Sequence, residues 1–233
     1  MTRYFITGCN RGIGLELVRQ LLLRPDSVVL ATCRDPLQAD DLQSLNAQYG
    51  ERLTVLPLEV TSETSIYKVA ALTSGHVDAL DVIINNAALN VDDAAQSLSG
   101  ITQHTFLEML NINSVAPLLI TQALVGLLRK GVTPKLVNIS SQMASLEERN
   151  YGGDYAYCAS KAALNMTTRG LAADLREVTV IALDPGWVKT RMGGAGAQLT
   201  PEQSIEGILR VIDGLKLSDS GGYFRYNGKR LPW

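Results

Sequence analysis

Short apolar runs alternate with amphipathic stretches along the whole chain. The runs are rich in aliphatic and aromatic residues and predict seven strands, at positions 3–7, 27–32, 53–58, 80–84, 135–139, 179–183 and 223–226. Between them, apolar residues recur at helical spacing and predict helices over 15–23, 38–49 and 62–74, and from positions 106, 157 and 201. The run 80–84 is almost continuously apolar, which is typical of a central parallel strand buried on both faces.

This alternation of strands and helices predicts one α/β domain over residues 1–233, with a doubly wound, Rossmann-like parallel sheet and helices on both of its faces. The 233 residues suffice for one large core, and no repeat, linker or low-complexity tract divides them. In such a fold, ligands bind beyond the carboxyl ends of the strands. The residues that follow each strand are therefore the candidates for a functional site.

Two kinds of signal mark helix ends and irregularities. Ser62 and Thr200 are placed as helix N-caps, the latter followed by a proline in the first turn. The helix from position 106 contains Asn113 and Pro117, and a proline inside a helix costs about 3 kcal/mol or more. We therefore expect a kink there, with a free backbone carbonyl nearby.

The first strand is followed directly by the segment Gly8-Cys-Asn-Arg-Gly12-Ile-Gly14 and then by a helix. Glycines in this setting permit a tight turn and a close approach of the backbone to a pyrophosphate, while the helix N-terminus offers free N–H donors. The spacing is G-x-x-x-G-x-G, which differs from the commoner G-x-G-x-x-G fingerprint. An ordinary tight turn would need no ligand, but the position at the start of an alternating chain favours a nucleotide site.

The end of the second strand predicts which nucleotide is bound. An acidic side chain at this place would accept hydrogen bonds from the adenosine ribose and favour NAD. Here the strand ends in Thr32 and Cys33, followed by Arg34, while Arg11 lies in the glycine turn. Two guanidinium groups would suit the 2′-phosphate of NADP, so we predict NADP. The alternative is that Asp35 binds the ribose and that the nucleotide is NAD.

Composition excludes several classes of protein. With 46% hydrophobic and 19% charged residues the chain is an ordinary globular one, and its net charge of −2 predicts neither nucleic acid nor a membrane as partner. The chain opens into a strand rather than a signal peptide, and no apolar run approaches the roughly 20 residues of a membrane span. Three scattered cysteines indicate reduced thiols and a cytoplasmic protein. Two histidines without a cysteine pair argue against structural zinc.

The predicted helix from position 157 carries the candidate chemistry. Tyr157 and Lys161 are four positions apart, so they share one helix face, with their Cβ atoms about 5–6 Å apart. An ammonium beside a phenol favours the phenolate and lowers the pKa of the tyrosine towards the range of a general acid. Alone, such a pair is most often an exposed one. The polar groups predicted at the strand ends, Asn86, Ser141 and the 185–186 turn, favour a site instead.

Taken in order, these segments resemble those of the short-chain dehydrogenase/reductase family over essentially the whole chain. The family's T-G-x-x-x-G-x-G motif is matched by residues 7–14 and its N-N-A segment by residues 85–87. Its Y-x-x-x-K motif is matched by Tyr157 and Lys161. Such motifs in the right order, at family-like separations, make the resemblance specific.

The remaining motifs concern the active site and a subgroup of the family. The helix asparagine, the catalytic serine and the P-G turn of the family are matched by Asn113, Ser141 and residues 185–186. Residues 113–117, 184–190 and 227–233 are similar to those of the C-factor/sniffer-type carbonyl reductases.

The resemblance implies reversible hydride transfer between a nicotinamide and a carbonyl or alcohol. Tyr157 would donate the proton, Lys161 would lower the pKa of its phenol and hold the nicotinamide ribose, and Ser141 would hydrogen-bond the substrate oxygen. Asn113 would hold a water that links Lys161 to solvent. Ser140 is the competing serine, but the alignment of the pair with the family favours Ser141.

The resemblance also implies the residues that bind NADP or, in the alternative, NAD. Besides Tyr157 and Lys161 these are Gly8, Asn10, Arg11, Gly12, Ile13, Gly14, Arg34, Glu59, Val60, Asn86, Ala87, Pro185, Gly186, Val188 and Thr190. Two positions depart from the family pattern. Ala88 stands where the pattern has glycine, and Glu59 stands where the pattern has an aspartate beside the adenine.

The implied partners are a small carbonyl or alcohol substrate and further copies of the chain. Family members often pair through the helices that hold Asn113 and Tyr157, so we expect a homodimer or homotetramer. The expected function is reduction of ketones, aldehydes or quinones. The alternative is an NADP-binding sensor or signalling protein with little turnover, although such proteins usually lack the tyrosine or the lysine. An extended sugar-nucleotide epimerase would need a further domain, for which 233 residues leave no room.

The substrate side is the least specified by the sequence. About ten residues, three of them glycine, separate Thr190 from the last predicted helix, where many relatives have a longer, helical lid. We expect an open site under a short mobile cover, with Trp187 and Met192 as apolar surface and a preference for reactive carbonyls. The alternative is that loops 89–104 and 142–153 fold over the pocket. Their candidate contacts are Glu147, Glu148 and Arg149.

Overall fold

Seven parallel strands form one sheet at the centre of the molecule in the computed structural model, which describes residues 1–92 and 94–233. The strands are β1 (Thr2–Ile6), β2 (Ser27–Cys33), β3 (Leu53–Pro57), β4 (Val82–Asn85), β5 (Lys135–Ile139), β6 (Thr179–Asp184) and β7 (Gly222–Arg225). Their order is β3-β2-β1-β4-β5-β6-β7, and each neighbouring pair is parallel. The predicted doubly wound, Rossmann-like sheet is confirmed.

Helices cover both faces of this sheet. They are α1 (Gly12–Leu22), α2 (Asp40–Tyr49), α3 (Glu63–His76), α4 (Gln103–Leu110), α5 (Ala116–Leu128), α6 (Tyr155–Asp174) and α7 (Pro201–Gly214). On one face, Leu17 and Leu21 of α1 and Ile208 of α7 belong to one buried cluster with side chains of the sheet. On the other face, Ile66 of α3 and Ile120 of α5 belong to a second cluster. In these four helices the amphipathic pattern is used as predicted, with the apolar stripe facing the sheet.

The strand order reverses between β1 and β4. From β1 the chain builds outward through β2 and β3, and from β4 it builds the other way. At this switch point the Nδ2 of Asn86 donates to the carbonyl oxygens of Thr7 and Gly8, at 2.8 and 3.1 Å. The Thr7 hydroxyl accepts from the backbone N–H groups of Asn86 and Ala87, at 2.9 Å each. The residue after β4 thus fixes the glycine turn after β1, where this class of fold binds its ligands.

The kink predicted near Asn113 is a π-helical turn. It spans Asn111–Val115 and joins α4 to α5 in one continuous rod, and the N–H of Ala116 donates to the carbonyl of Asn111, five residues back. The next residue, Pro117, has no N–H, so it cannot pair with the carbonyl of Asn113 four residues before it. The π-helical turn widens the helix at the place where this hydrogen bond is missing.

This rod, Gln103–Leu128, is the one helix in the described part of the chain that is long and apolar enough to cross a membrane by length and composition. Its mean hydropathy is 1.4, and 44% of the apolar window is buried inside the protein. Thr121 and Asn113 on the rod hydrogen-bond within the protein interior, and Ile120 and Leu124 pack in the core. These contacts are those of a core helix.

The helix ends agree closely with the predicted ones. Ser62 caps α3 by accepting from the N–H of Ser65, and Thr200 caps α7 in a capping box with Gln203. The region 89–104 is less irregular than predicted, because a short 3₁₀ turn covers Ala94–Gln96 and α4 starts at Gln103. Residue 93 of that region lies outside the described residues.

Candidate active site

Tyr157 lies in the first turn of α6, and its side chain lines a cavity beyond the ends of the central strands. Its backbone N–H donates to the Oε1 of Gln96 at 3.0 Å. Gln96 is fully buried, and its Nε2 donates to the Oδ1 of Asn90 and the carbonyl of Val91. Gln96 therefore anchors the helix start that carries Tyr157. No pattern in the sequence indicates this role, because a lone glutamine in a polar stretch is typical of a surface residue.

Lys161 shares a helix face with Tyr157, as predicted from their spacing. Its Nζ lies 5.9 Å from the centroid of the Tyr157 ring and donates to the carbonyl oxygen of Ile139, at the end of β5, at 2.8 Å. Only 2% of Lys161 is exposed to solvent. The Lys161 side chain therefore reaches from α6 to the end of β5 and holds the two elements together beside Tyr157.

The prediction that the pKa of Tyr157 is lowered is wrong. Burial raises the pKa of the phenol above its ordinary value, and the Ser141 side chain lowers it only in part. Burial also lowers the pKa of Lys161 to about 7, so its ammonium is itself partly discharged near neutrality. Spacing along a helix predicted the contact but not the desolvation, which favours the neutral form of both groups.

The buried lysine makes stability depend on pH. The unfolded chain holds a proton on Lys161 up to about pH 10.4, whereas the folded protein releases it near pH 7. Between these values the unfolded state binds more protons, so the contribution to stability rises with pH, by up to about 1.4 kcal/mol per pH unit. We expect the free energy of unfolding of the nucleotide-free wild type, relative to Lys161→Met, to rise from pH 7 to pH 10.

Urea unfolding at several pH values, below and within this window, measures the difference. Lys189→Met, which removes an exposed ammonium, is the matched control for the loss of a charge. A difference between wild type and Lys161→Met that is constant over the window would show that Lys161 is not desolvated in the folded protein.

The two serines after β5 have different surroundings. Ser140 also lines the cavity, but it is 2% exposed and its hydroxyl donates to the Oδ1 of Asn165 at 2.7 Å, so its proton is already used in the interior. Ser141 is half-buried and lines the cavity beside Tyr157. Its Oγ accepts from the N–H of Met143 at 3.2 Å, and its side chain also acts on the Tyr157 phenol, whose pKa it lowers. The geometry favours Ser141 over Ser140 for the predicted role.

Asn113 lies in the π-helical turn and clamps two other segments. Its Oδ1 accepts from the N–H of Leu89, and its Nδ2 donates to the carbonyl of Leu89 and to the Oγ of Ser160, at 2.8, 2.8 and 2.9 Å. The side chain is completely buried. Asn113 therefore ties the loop after β4 to α6 one position before Lys161. The water that we predict at this residue stays a prediction.

The glycine turn is tightly built. Gly8 and Gly12 have φ angles of 72° and 55°, where residues with a side chain are strained. A Cβ on Gly14 would lie 2.2 Å from the Gly8 carbonyl oxygen and 2.7 Å from the Nδ2 of Asn86. A Cβ on Gly12 would lie 3.4 Å from a methyl carbon of Thr190, so the turn after β1 touches the segment after β6. The predicted nucleotide residues of these two segments are thus brought together.

The surroundings of α1 suit an anionic ligand. In the part of the chain that the structure describes, no side chain caps the N-terminus of this 11-residue helix, and its first turn carries no acid. Arg11, Arg34 and Arg191 stand around the turn, and the pKa of Arg11 is lowered by partial burial and then by repulsion from the other two. Among the described residues, none of the three is ion-paired with a carboxylate. This donor set fits the phosphates of a dinucleotide.

Other predicted nucleotide residues lie further along the same edge of the sheet. Glu59 and Val60 follow β3, and the Glu59 carboxylate accepts from the N–H and the hydroxyl of Thr61 at 3.2 and 2.9 Å. Asp35 caps the short turn after β2 by accepting from the N–H of Leu37 at 3.1 Å. Its carboxylate keeps further acceptor capacity, so this bond does not decide between Arg34 and Asp35 at the ribose. Arg191 was missed by the sequence argument, because nothing in the pattern places it near Arg11.

The cavity has a volume of about 670 Å³ and connects the turn to Tyr157. Its walls include six predicted residues, namely Ile13, Ser141, Pro185, Gly186, Val188 and Thr190. They also include side chains of the loop after β5, namely Gln142, Met143, Glu148, Arg149 and Tyr151. Two of the three candidate contacts in that loop therefore reach the cavity, while Glu147 is exposed and is not among the lining residues. The alternative in which loops wall the pocket is the one that the structure favours.

The segment after Thr190 contains no helical lid, as predicted, but it is held at many points. The indole N–H of Trp187 donates to the carbonyl of Gly193 at 2.7 Å, and the N–H of Gly193 donates to the Oγ1 of Thr190 at 3.1 Å. Backbone bonds join Trp187 to Gln198 and Leu199. The ring of Trp187 thus packs on this segment, which is a braced loop rather than the loose cover that the glycines suggested.

Comparisons with known proteins agree with this site. A family model for short chain dehydrogenases matches residues 3–198. The C-signal protein of Myxococcus xanthus is 43% identical over 157 residues, which cover 66% of this chain and 93% of that protein. The carbonyl reductase Sniffer of D. melanogaster has a TM-score of 0.94 and 32% identity, with 100% of both chains covered. An NADPH-bound carbonyl reductase from chicken fatty liver has a TM-score of 0.94 and 35% identity, over 100% of this chain and 94% of that one.

The family match covers most of the chain, and the motifs that carry it stand at the strand ends around one cavity. The chain therefore belongs to the short-chain dehydrogenase/reductase family of oxidoreductases, and within it resembles the C-factor/sniffer-type carbonyl reductases.

Proposed function

We propose that this protein is an NADP(H)-dependent reductase that converts a ketone, aldehyde or quinone to an alcohol. The observation that carries the proposal is that Tyr157, Ser141 and the nucleotide-side residues Ile13 and Thr190 line one continuous cavity. A substrate carbonyl in that cavity meets a proton donor on one side and the predicted nicotinamide position on the other. The neighbours that are carbonyl reductases support the same substrate class.

When bound, NADPH supplies the hydride. The protein's own groups handle the proton and the developing negative charge on the substrate oxygen. Tyr157 donates the proton, because burial raises its pKa and keeps the phenol protonated at neutral pH. The raised pKa also makes the phenol a weaker acid than one whose pKa lies near neutrality. Ser141 donates a hydrogen bond to the same oxygen. Lys161 holds the nicotinamide ribose from its place beside Tyr157.

A panel of aldehydes, ketones and quinones with NADPH tests this function. Nucleotide oxidation that depends on the carbonyl supports it, and the spread of kcat/KM across the panel measures how strongly the walled cavity selects. The second candidate is an NADP-binding signalling protein with little turnover, which the similarity to a protein named C-signal favours. Tight NADPH binding without turnover of any panel member would establish that second candidate instead.

The nucleotide preference follows from the three guanidinium groups around the turn. We propose that Arg34 binds the 2′-phosphate of NADP(H), and we expect Arg34→Ala to weaken NADPH by about 1.5–3 kcal/mol, the contribution of a charge-assisted contact. Binding of NADH, which has no such phosphate, changes little. Fluorescence titration of both nucleotides measures the two changes in affinity. Arg210→Ala, which replaces an exposed arginine on α7, is the control.

An equal loss of affinity for NADPH and NADH in Arg34→Ala would show that Arg34 does not bind the 2′-phosphate. A wild-type preference for NADH would place the ribose contact at Asp35 in spite of its bond to Leu37.

We further propose that copies of the chain associate through the helices that hold Asn113 and Tyr157. The rod of α4 and α5 exposes Leu107, Val115 and Leu118, and α6 exposes Met166. Apolar side chains exposed together on neighbouring helices are typical of an interface. Sedimentation velocity at micromolar concentration is expected to give a dimer or tetramer, and a single monomer peak would contradict the proposal.

A further inference from the structure

Trp233 holds one end of the loop that walls the cavity. We call residues 141–148 the wall segment, because Ser141, Gln142, Met143, Ser145 and Glu148 all line the cavity. The main-chain carbonyl oxygen of Trp233 accepts from the N–H of Leu146 at 2.6 Å and from the Oγ of Ser145 at 3.2 Å. Since Ser145 is 2% exposed, this bond lies in the interior and is shielded from competing water.

The ring of Trp233 reaches the other end of the wall segment through Tyr223. The two rings stack, with centroids 5.2 Å apart and planes 25° apart. The hydroxyl of Tyr223 donates to the main-chain carbonyl of Ser141, the residue predicted to bind the substrate oxygen. Tyr223 itself is 2% exposed in the edge strand β7. The stack therefore holds Tyr223 in place, and the hydroxyl of Tyr223 in turn holds the main chain of Ser141.

The tail that carries Trp233 is itself anchored. The N–H of Leu231 donates to the carbonyl of Tyr223 at 2.9 Å, and the N–H of Arg225 donates to the carbonyl of Lys229 at 2.8 Å, so the tail folds back along β7. The guanidinium carbon of Arg169, on α6, lies 5.4 Å from the centroid of the Trp233 ring. Trp233 is thus held between α6 and β7 while it holds the wall segment.

We propose that Trp233 is a positioning residue for the substrate, which sets the shape of the cavity by bracing the wall segment at Ser145–Leu146 and, through Tyr223, at Ser141. This inference rests on the proposed reductase function for its kinetic consequences. It does not depend on that function for its structural consequence, which is the order of the wall segment itself. Trp233 lines neither the cavity nor the glycine turn, so it acts on substrate through other residues.

Trp233→Ala removes the ring and leaves the main chain, and so tests the brace. We expect the KM of bulky carbonyls to rise about three- to tenfold, the range that an aromatic stack contributes, while kcat falls less and the Kd of NADPH is unchanged. We also expect faster amide hydrogen exchange in the wall segment. Trp233→Phe keeps an aromatic stack on Tyr223 and should restore both the KM and the exchange rates towards those of the wild type.

Two further variants complete the test. Tyr223→Phe keeps the stack and removes only the hydrogen bond to Ser141, so it should raise the KM and speed exchange at the Ser141 end alone. Lys229→Ala removes an exposed side chain of the same tail and is the matched control. If Trp233→Ala does not fold, Tyr223→Phe carries the test, because an unchanged KM and unchanged exchange in that variant would overturn the brace.

The outcomes separate this inference from the proposed function. If Trp233→Ala and Lys229→Ala have the same KM and the same amide hydrogen exchange in the wall segment, the inference is overturned. The proposed reductase function then still stands. If the wild type binds NADPH but reduces no carbonyl, the reductase function is overturned. The hydrogen-exchange measurement then still decides whether Trp233 braces the wall segment. A loss of NADPH affinity in Trp233→Ala equal to the rise in KM would show a general structural role, which also overturns the inference.

Discussion

Tyr157→Phe is expected to lower kcat about 10²–10⁴-fold, the usual contribution of a general acid, while NADPH still binds. The substitution removes one hydroxyl and keeps the ring that packs with Met109 and Ala156 at the start of α6. Because the bond from the backbone N–H of Tyr157 to Gln96 is also kept, the position of the helix should not change. Stopped-flow or steady-state oxidation of NADPH with the best carbonyl of the panel measures the loss.

Tyr155→Phe is the matched control for this variant, because Tyr155 lies two positions earlier on the same helix and does not line the cavity. A Tyr157→Phe protein that keeps a rate near that of the wild type would mean that the acid is another group. Loss of NADPH binding in parallel with turnover would mean that the hydroxyl serves the nucleotide rather than the substrate.

Gly14→Ala is expected to lower kcat/KM for NADPH by about 10²-fold, the cost of misplacing a site by roughly 1 Å. A Cβ at this position would lie 2.2 Å from the Gly8 carbonyl oxygen, which is a backbone atom and cannot turn away. The start of α1 must then move from the turn, and with it the N–H donors that face the nucleotide. Titration with NADPH and steady-state kinetics measure the effect.

Gly170→Ala is the control for a glycine replaced inside a helix. No atom lies within 4 Å of the Cβ that it would add on α6, so it should raise stability by up to about 1 kcal/mol through helix propensity and leave the kinetics unchanged. Wild-type kinetics in Gly14→Ala would show that the glycine turn can shift without affecting the nucleotide. The nucleotide site would then have to be placed elsewhere.

The sequence predicted those features that depend on local pattern. Strands and helices follow from periodicity, and Ser62 and Thr200 cap their helices as residue type and position suggested. The meeting of the turn with Asn86 follows from one rule, that parallel strands bring their carboxyl ends to the same edge. Local chemistry and that rule together were enough to predict most of the residues that line the cavity.

Features that depend on burial or on distant loops could not be predicted in this way. Gln96 and Trp233 act on residues 61 and 88 positions away, through bonds that have no periodic signature. The pKa values of Tyr157 and Lys161 depend on how completely the surrounding elements exclude water, which residue spacing does not reveal. The kink at Pro117 was expected, but whether the helix would bend or widen depended on packing.

The widened turn at Asn111–Val115 changes the rotational phase of the rod. Met109 and Ile120 are eleven positions apart, and in an uninterrupted α-helix they would point in directions only about 20° apart. A turn that takes up one extra residue shifts this phase by about 100°, so that the two side chains point about 80° apart. The two halves can therefore serve different cores, since Met109 packs with Tyr157 and Ile120 packs against the sheet. One inserted residue thus lets a single continuous helical rod support Tyr157 and the fold at once.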